Sequence, residues 1–344
     1  MPRTRLPKES ARVRVEMTPA GIGEALAERG RLTRRDLALL ELLHEHQVLT
    51  GDQIARLYYA SPTTARHRLL DLARRGVLAR FRHHPDRGSQ AWRYTIGSVG
   101  AILQAATHGR PLPKPSRTSA QILALATSPR LDHLLAVNDV FVALAHAART
   151  PPVHRLPTDA LDPNPQPTQQ PTGAPTWAPA GAALSLWWSE QRATAAFGQI
   201  VRPDGYGEWT EHQRSVRFFL ELDRGTEPLP RLLDKLTGYR QLADHNITHP
   251  VLFLLPTSLR EQHLHRHIAT RPALCAAGQD APALLVATAA HDQLAATGAT
   301  PADPVWLRPG QTHRARLINL VAPTTSGVHE QPEPPPPPLR PPLR

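Results

Sequence analysis

Three carboxylates are spaced for chemistry. Asp204 follows Pro203 in VRPDGYGEW, and Glu221 and Asp223 close the apolar run of FFLELDRGT. Residues two apart on a strand point to the same face, so Glu221 and Asp223 are expected to project together. A turn or hairpin between strands would bring Asp204 beside them. Carboxylates gathered at the ends of adjacent strands make a hard-oxygen site suited to magnesium or manganese. Such a site supports metal-assisted phosphodiester hydrolysis. The same residues also have plainer readings. PDG is a common turn that Asp204 could cap, Glu221 could pair with Arg224 or Lys235, and Asp223 with Gly225 could stabilise a strand-end turn.

A second constellation is cationic. In PTTARHRLLDLARRG the apolar residues Ala65, Leu69, Leu72 and Ala73 recur at helical spacing on one face. The other faces carry Thr63, Thr64, Arg66, His67, Arg68, Arg74 and Arg75. Such a helix can set its N-terminal residues against base edges. The segment that follows adds Arg82, Arg87 and Arg93, placed to meet phosphate or the minor groove. Between Arg31 and Arg93 stand twelve arginines and six acidic residues, so more than half of the net charge of +11 lies in less than a fifth of the chain. The competing reading is a protein-binding module whose arginines form a solvated face.

The elements that must carry these groups are legible. Thr33 is a good N-cap for a helix through about His46, with Leu37, Leu39, Leu40, Leu42 and Leu43 as its apolar stripe. Thr50 caps a second helix. Ser61 caps a third, with Pro62 at its first position and Gly76 stopping it. Strand-like VLARFRHH and QAWRYTI follow, joined by PDRGS. Helix, helix, helix, hairpin is the order of a winged helix-turn-helix. Tyr58, Tyr59, Phe81 and Trp92 are expected in its core. Further on, a helix over 130–149 precedes strands at 184–190, around Ile200–Val201 and at 216–222. A helix (230–243), a strand (250–256), a helix (258–270), a strand (283–288) and the helix start HDQLAA complete the series. This alternation implies an α+β or α/β fold with a mixed sheet covered on both faces. The expected organisation is a flexible basic arm (1–30), the winged helix-turn-helix (31–108), a linker (109–127), an α/β domain (128–321) interrupted by a disordered insertion (150–183), and a Pro-rich tail (322–344).

Composition narrows the class. Lys and Arg outnumber Asp and Glu by 40 to 29, and a pI near 10.8 favours a polyanionic partner, nucleic acid ahead of a membrane surface. The lone Cys275 excludes a disulfide framework and a zinc site built from several thiolates. No apolar run of about 18 residues suggests a transmembrane helix, no signal peptide is apparent, and a cytoplasmic protein is expected. The arginine, alanine and proline bias resembles that of a high-GC bacterial genome. No G-x-S-x-G elbow, Walker loop or G-x-G-x-x-G is present. The pair His263 and His267 shares a helix face without a third ligand.

The helix, three strands, helix, strand order, with PD and then E-x-D, resembles the core of PD-(D/E)XK nucleases. In that superfamily the strand motif ends in lysine, and Asp223 stands at that position here. The resemblance implies that Lys235, on the next helix, replaces it, with Asp204, Glu221 and Asp223 as metal ligands and Asp139 on the leading helix as a further one. More specifically, LTRRDLALLELLHEHQVLTGDQIARLYY, HLLAVNDVFVAL, VRPDGY, FFLELDRGTE and KLTGYRQL with PVLFLLP resemble the actinobacterial replication-relaxation family. That likeness implies double-stranded DNA as partner and a role in plasmid or mobile-element replication, transfer or regulation. A homodimer or replication and transfer proteins are further expected partners. Three readings follow: a DNA-binding protein whose second domain is a degenerate nuclease-like scaffold, which the sequence favours; a magnesium- or manganese-dependent endonuclease using Asp204, Glu221, Asp223 and Lys235; and a transcriptional regulator with a dimerisation domain.

Overall fold

Local chemistry starts the first helices. Thr33 caps α2 (Arg34–His46): Asp36 N donates to the Thr33 hydroxyl (3.3 Å), and the Asp36 carboxylate accepts from Thr33 N (2.8 Å). This reciprocal capping box satisfies two otherwise orphaned donors. Thr50 and Gln53 repeat it at α3 (Gly51–Tyr58). Ser61 caps α4 (Pro62–Arg74), and Gly76, at φ +70°, turns the chain into β3 (Leu78–His83). β3 pairs antiparallel with β4 (Arg93–Ile96), which pairs with β2 (Leu49–Thr50).

The computed structural model describes residues 13–83, 90–149, 181–212, 214–277 and 282–321. The expectations for Arg87, for residues 150–180 of the insertion and for the 322–344 tail lie outside the described residues. The chain divides into two units between Asn138 and Asp139, within α7 (Leu131–Arg149). Among the described residues, α7 is the helix long and apolar enough to cross a membrane, and more than half of that stretch is buried inside the protein, as in a core helix.

The first unit holds more structure than the sequence suggested. The expected arm contains β1 (Val13–Glu16) and α1 (Ile22–Arg29). β1 pairs antiparallel with β3, and Val13 and Val15 pack against the buried cluster of Val48, Phe81, Ala126, Leu131 and Leu135. The expected linker contains α6 (Pro115–Ala126), which buries Thr118, Ile122 and Ala126 at four-residue spacing, one helix face. Proline at its first helical position starts that helix rather than breaking it. α5 (Ser98–Thr107) precedes it. Leu37, assigned by spacing to the apolar stripe of α2, is exposed.

The second unit is built on a mixed sheet. Its strands are β5 (Ala182–Ser189), β6 (Gly205–Glu211), β7 (Arg214–Leu222), β8 (Val251–Leu255), β9 (Val286–Ala290), β10 (Trp306–Leu307) and β11 (Arg314–Ala315), lying in sequence order across the sheet. β5–β6 and β6–β7 are antiparallel, β7–β8 and β8–β9 parallel, and β9–β10 and β10–β11 antiparallel. Helices α8 (Glu190–Phe197), α9 (Leu229–Asp244), α10 (Ser258–Ala269) and α11 (His291–Thr297) connect them. No strand forms at Ile200–Val201. The chain there follows α8, and the strand comes later, at GYGEWTE. Two glycines in that run read locally as a turn, but the sheet uses them. A Cβ at Gly205 would lie 2.6 Å from the Phe141 ring, and one at Gly207 would lie 2.7 Å from both Phe141 and Phe218. The aromatic layer over β6 therefore fits only a strand without side chains at those positions.

Gly207→Ala is expected to destabilise the second unit by about 1–3 kcal/mol through overpacking. Adding Phe141→Leu should recover part of the lost melting temperature, because it vacates the space the new methyl needs. A neutral single variant in thermal unfolding would contradict this packing.

Candidate nucleic-acid interface and carboxylate site

On α4 the cations divide into two classes. Asp36 is almost wholly buried, and Arg68 grips it with two bonds, Nε to Oδ1 (3.1 Å) and a terminal nitrogen to Oδ2 (2.5 Å). Arg68 also reaches Asp71 (2.8 Å). Burial pushes the Asp36 carboxyl up, but the bonds from Arg68 and Thr33 outweigh it and hold it below its usual range. Arg75 binds Glu28 of α1 through Nε (2.7 Å) and Asp71 (3.0 Å). These two arginines tie α4 to its neighbours. Thr63, Thr64, Arg66, His67 and Arg74 stand exposed on the same helix.

The strand cations differ again. Arg93 is buried, donating to His83 Nδ1 (2.5 Å) and Asp132 (3.3 Å). It is a structural cation of the first unit. Arg82 lies with its guanidinium 4.5 Å from the centre of the Trp92 ring. Trp92, expected in the core, is half-buried instead, under Arg80 (4.1 Å) and near Arg14 (5.8 Å). Strand alternation explains this: Phe81 turns inward, so Arg80 and Arg82 turn to the other face with Trp92. Tyr59 is likewise only half-buried, with the Arg35 guanidinium 4.8 Å from its ring. Tyr58 and Phe81 are core residues. Sequence reading missed Arg14 and Arg80, and the alternation of Arg80 and Arg82 was the signal that could have found Arg80.

In the second unit the carboxylates are partly gathered. Glu221, on β7, is fully buried; its Oε2 accepts from Lys235 Nζ (2.6 Å) and its Oε1 from the Tyr239 hydroxyl (2.5 Å), both on α9. Asp204, at the mouth of β6, accepts from Leu222 N (2.8 Å). Burial, and then the nearby Asp204, push the Glu221 carboxyl up to about 7 against the opposing pull of Lys235 and Tyr239. Burial would lower the Lys235 ammonium, but Glu221 and Asp204 overcome it and raise it. Both members of the pair hold their protons more tightly than in water.

Asp223 does not join them. β7 has ended, and its carboxylate turns to Gly225 N (2.7 Å) and to Arg260 Nε of α10. The expectation that Glu221 and Asp223 act together fails here, because each is claimed by a different helix. Among the described residues no group of three or more His, Cys, Asp or Glu is arranged to hold a metal ion, Asp139 included. Both Glu221 oxygens already accept from protein donors. The donor set therefore does not fit magnesium or manganese. On α10, His265 Nε2 meets the buried Thr288 hydroxyl (2.7 Å), which donates to Glu261 (2.6 Å).

Two predictions follow from these placements. Arg68→Ala leaves the buried Asp36 carboxylate without its cation and is expected to cost on the order of 3 kcal/mol of stability, whereas Arg66→Ala should leave the melting temperature unchanged. Glu221 titrates with a folded value near 7 and an unfolded value near 4.5. Its contribution is fully present below about pH 4.5 and is lost as pH rises through 7. The melting temperature of wild type relative to Glu221→Gln should therefore fall between pH 5 and 7.5, and parallel profiles would refute the shift.

The replication-relaxation family model matches residues 40–253, well over half of the chain. No curated protein and no solved structure matches it. The matched stretch opens in α2 and closes in β8, so it takes in α4, Arg80, Arg82, Arg93 and the Asp204–Glu221–Lys235 group, and leaves out Arg14. On that match the chain belongs to the replication-relaxation family.

Proposed function

We propose that the protein binds double-stranded DNA through α4, serving plasmid or mobile-element replication or relaxation. The observation that carries this reading is the division of α4 into locked and exposed cations. Arg68 and Arg75 fix the helix against Asp36 and Glu28, and Thr63, Thr64, Arg66, His67 and Arg74 are left to solvent. Among the described residues Arg66, His67 and Arg74 form no salt bridge, whereas Arg68 and Arg75 do. The order α2, α3, three-residue turn, α4, hairpin follows that of winged helix-turn-helix proteins, which set the third helix in the major groove. Family membership supports a replication or relaxation role.

The second unit is read as a nuclease-like scaffold. The order α7, β5, β6, β7, α9, β8, with α8 inserted after β5, supports a likeness to the PD-(D/E)XK core, in which Asp204, Glu221 and Lys235 would be the counterparts of its site residues. Its carboxylates serve the fold: Lys235 pairs with Glu221, Tyr239 donates to it, and Arg260 pairs with Asp223. We derive no hydrolytic step from it.

The full chain is expected to retard duplex DNA with an affinity that falls steeply with salt. Arg66→Ala should weaken binding by roughly 1–3 kcal/mol, the range of a base contact. Wild-type affinity in that variant would count against α4. Supercoiled plasmid should stay intact with magnesium or manganese as it does with EDTA. Metal-dependent nicking that vanishes in Asp204→Ala would make the second unit an endonuclease.

A further inference from the structure

The strand β1 changes what the hairpin presents. In the register, Arg14 lies opposite Arg82 and Glu16 opposite Arg80, while Arg80 also lies opposite Tyr94. Alternation sends Val13, Val15 and Phe81 into the apolar cluster and Arg14, Arg80 and Arg82 to the other face. There the three guanidiniums lie 4.1–5.8 Å from the centre of the single Trp92 ring. Glu16 answers two of them, Arg14 (2.7 Å) and Arg80 (2.5 Å). Among the described residues Arg82 has no carboxylate partner, and its Nε is buried without an acceptor.

Charge and geometry then specify a ligand. Three cations and one carboxylate leave an excess of two positive charges on a small area. The cation–π contacts with one ring offset only part of that repulsion. An anion brought to this face would relieve the repulsion among the three guanidiniums. Guanidinium forks match phosphate oxygens in pairs, and stacking on an indole orients them beforehand. The face adjoins α4, because that helix runs through Gly76 into β3 and packs against it.

We propose that this sheet face is a second DNA contact, a clamp for the phosphodiester backbone beside the segment met by α4. Arg14 and Arg82 take the phosphates, Trp92 is the platform that holds them, and Glu16 keeps Arg80 in place. The clamp rests on the reading of α4 as a DNA-binding helix and extends it: β1, which a helix-turn-helix does not require, supplies half of the phosphate ligands.

The test is the salt dependence of duplex binding by the full chain. Arg82→Gln keeps the stem over Trp92 and removes the charge; Arg14, largely exposed, is changed to Ala. The double variant should lower the slope of log affinity against log salt by about two, one per phosphate contact. It should weaken binding equally for unrelated sequences and keep its melting temperature. Part of the fluorescence change on adding DNA should disappear in Trp92→Phe. An unchanged slope in the double variant, with Arg66→Ala still weakened, overturns the clamp and leaves α4 standing. Failure of the wild-type chain to bind duplex overturns both.

Discussion

Asp36 sits at the third position of α2, with its carboxylate almost wholly removed from water. A bare buried carboxylate would be prohibitively costly, so everything around it is arranged to donate. Thr33 offers its amide and hydroxyl from the same turn, and Arg68 arrives from α4 with a two-pronged grip. One group thus caps α2 and fixes where α4 lies. With Arg68 drawn inward, Arg66 and His67 turn outward on the helical period. The exposed face of α4 is a consequence of that buried pair, and Arg75 on Glu28 secures the far end of the helix.

The second unit applies the same rule to a different end. Glu221 is fully buried and answered by two donors from α9, and Asp223 by one cation from α10. In a metal site the ion would supply the compensating charge. Here side chains supply it, so the carboxylates staple helices to the sheet. Glu221 thereby ties α9 to β7, and Asp223 ties α10 to the loop that follows that strand.

Charge follows this logic across the first unit. A net excess of arginine does not by itself make an interface. Arg68, Arg75 and Arg93 are occupied within the unit; Arg66, Arg74 and Arg82 are not matched to any carboxylate among the described residues. The face that can meet a polyanion is therefore narrower than the composition implies, and it gains Arg14 from a strand outside the helical core.

The sequence by itself determined what local interactions set. Thr33, Thr50 and Ser61 cap the helices that follow them, because each hydroxyl bonds an amide only three residues away. The alternation of strand and helix patterns announced a mixed sheet, and β7 and β8 pair in parallel across α9. The candidate carboxylates and their neighbour Lys235 were legible for the same reason, since strand ends and the next helix are close in sequence. Tertiary structure alone decided the rest. It separated Arg66 from Arg68, two residues apart and identical in kind, because the partner of one lies 32 positions away. It parted Asp223 from Glu221 through Arg260, 37 positions on. It made a strand of GYGEWTE because Phe141 needs the space a side chain would fill. Propensity and spacing act over a few residues. Which charge finds a partner, and which is left for a ligand, is fixed only when distant segments meet.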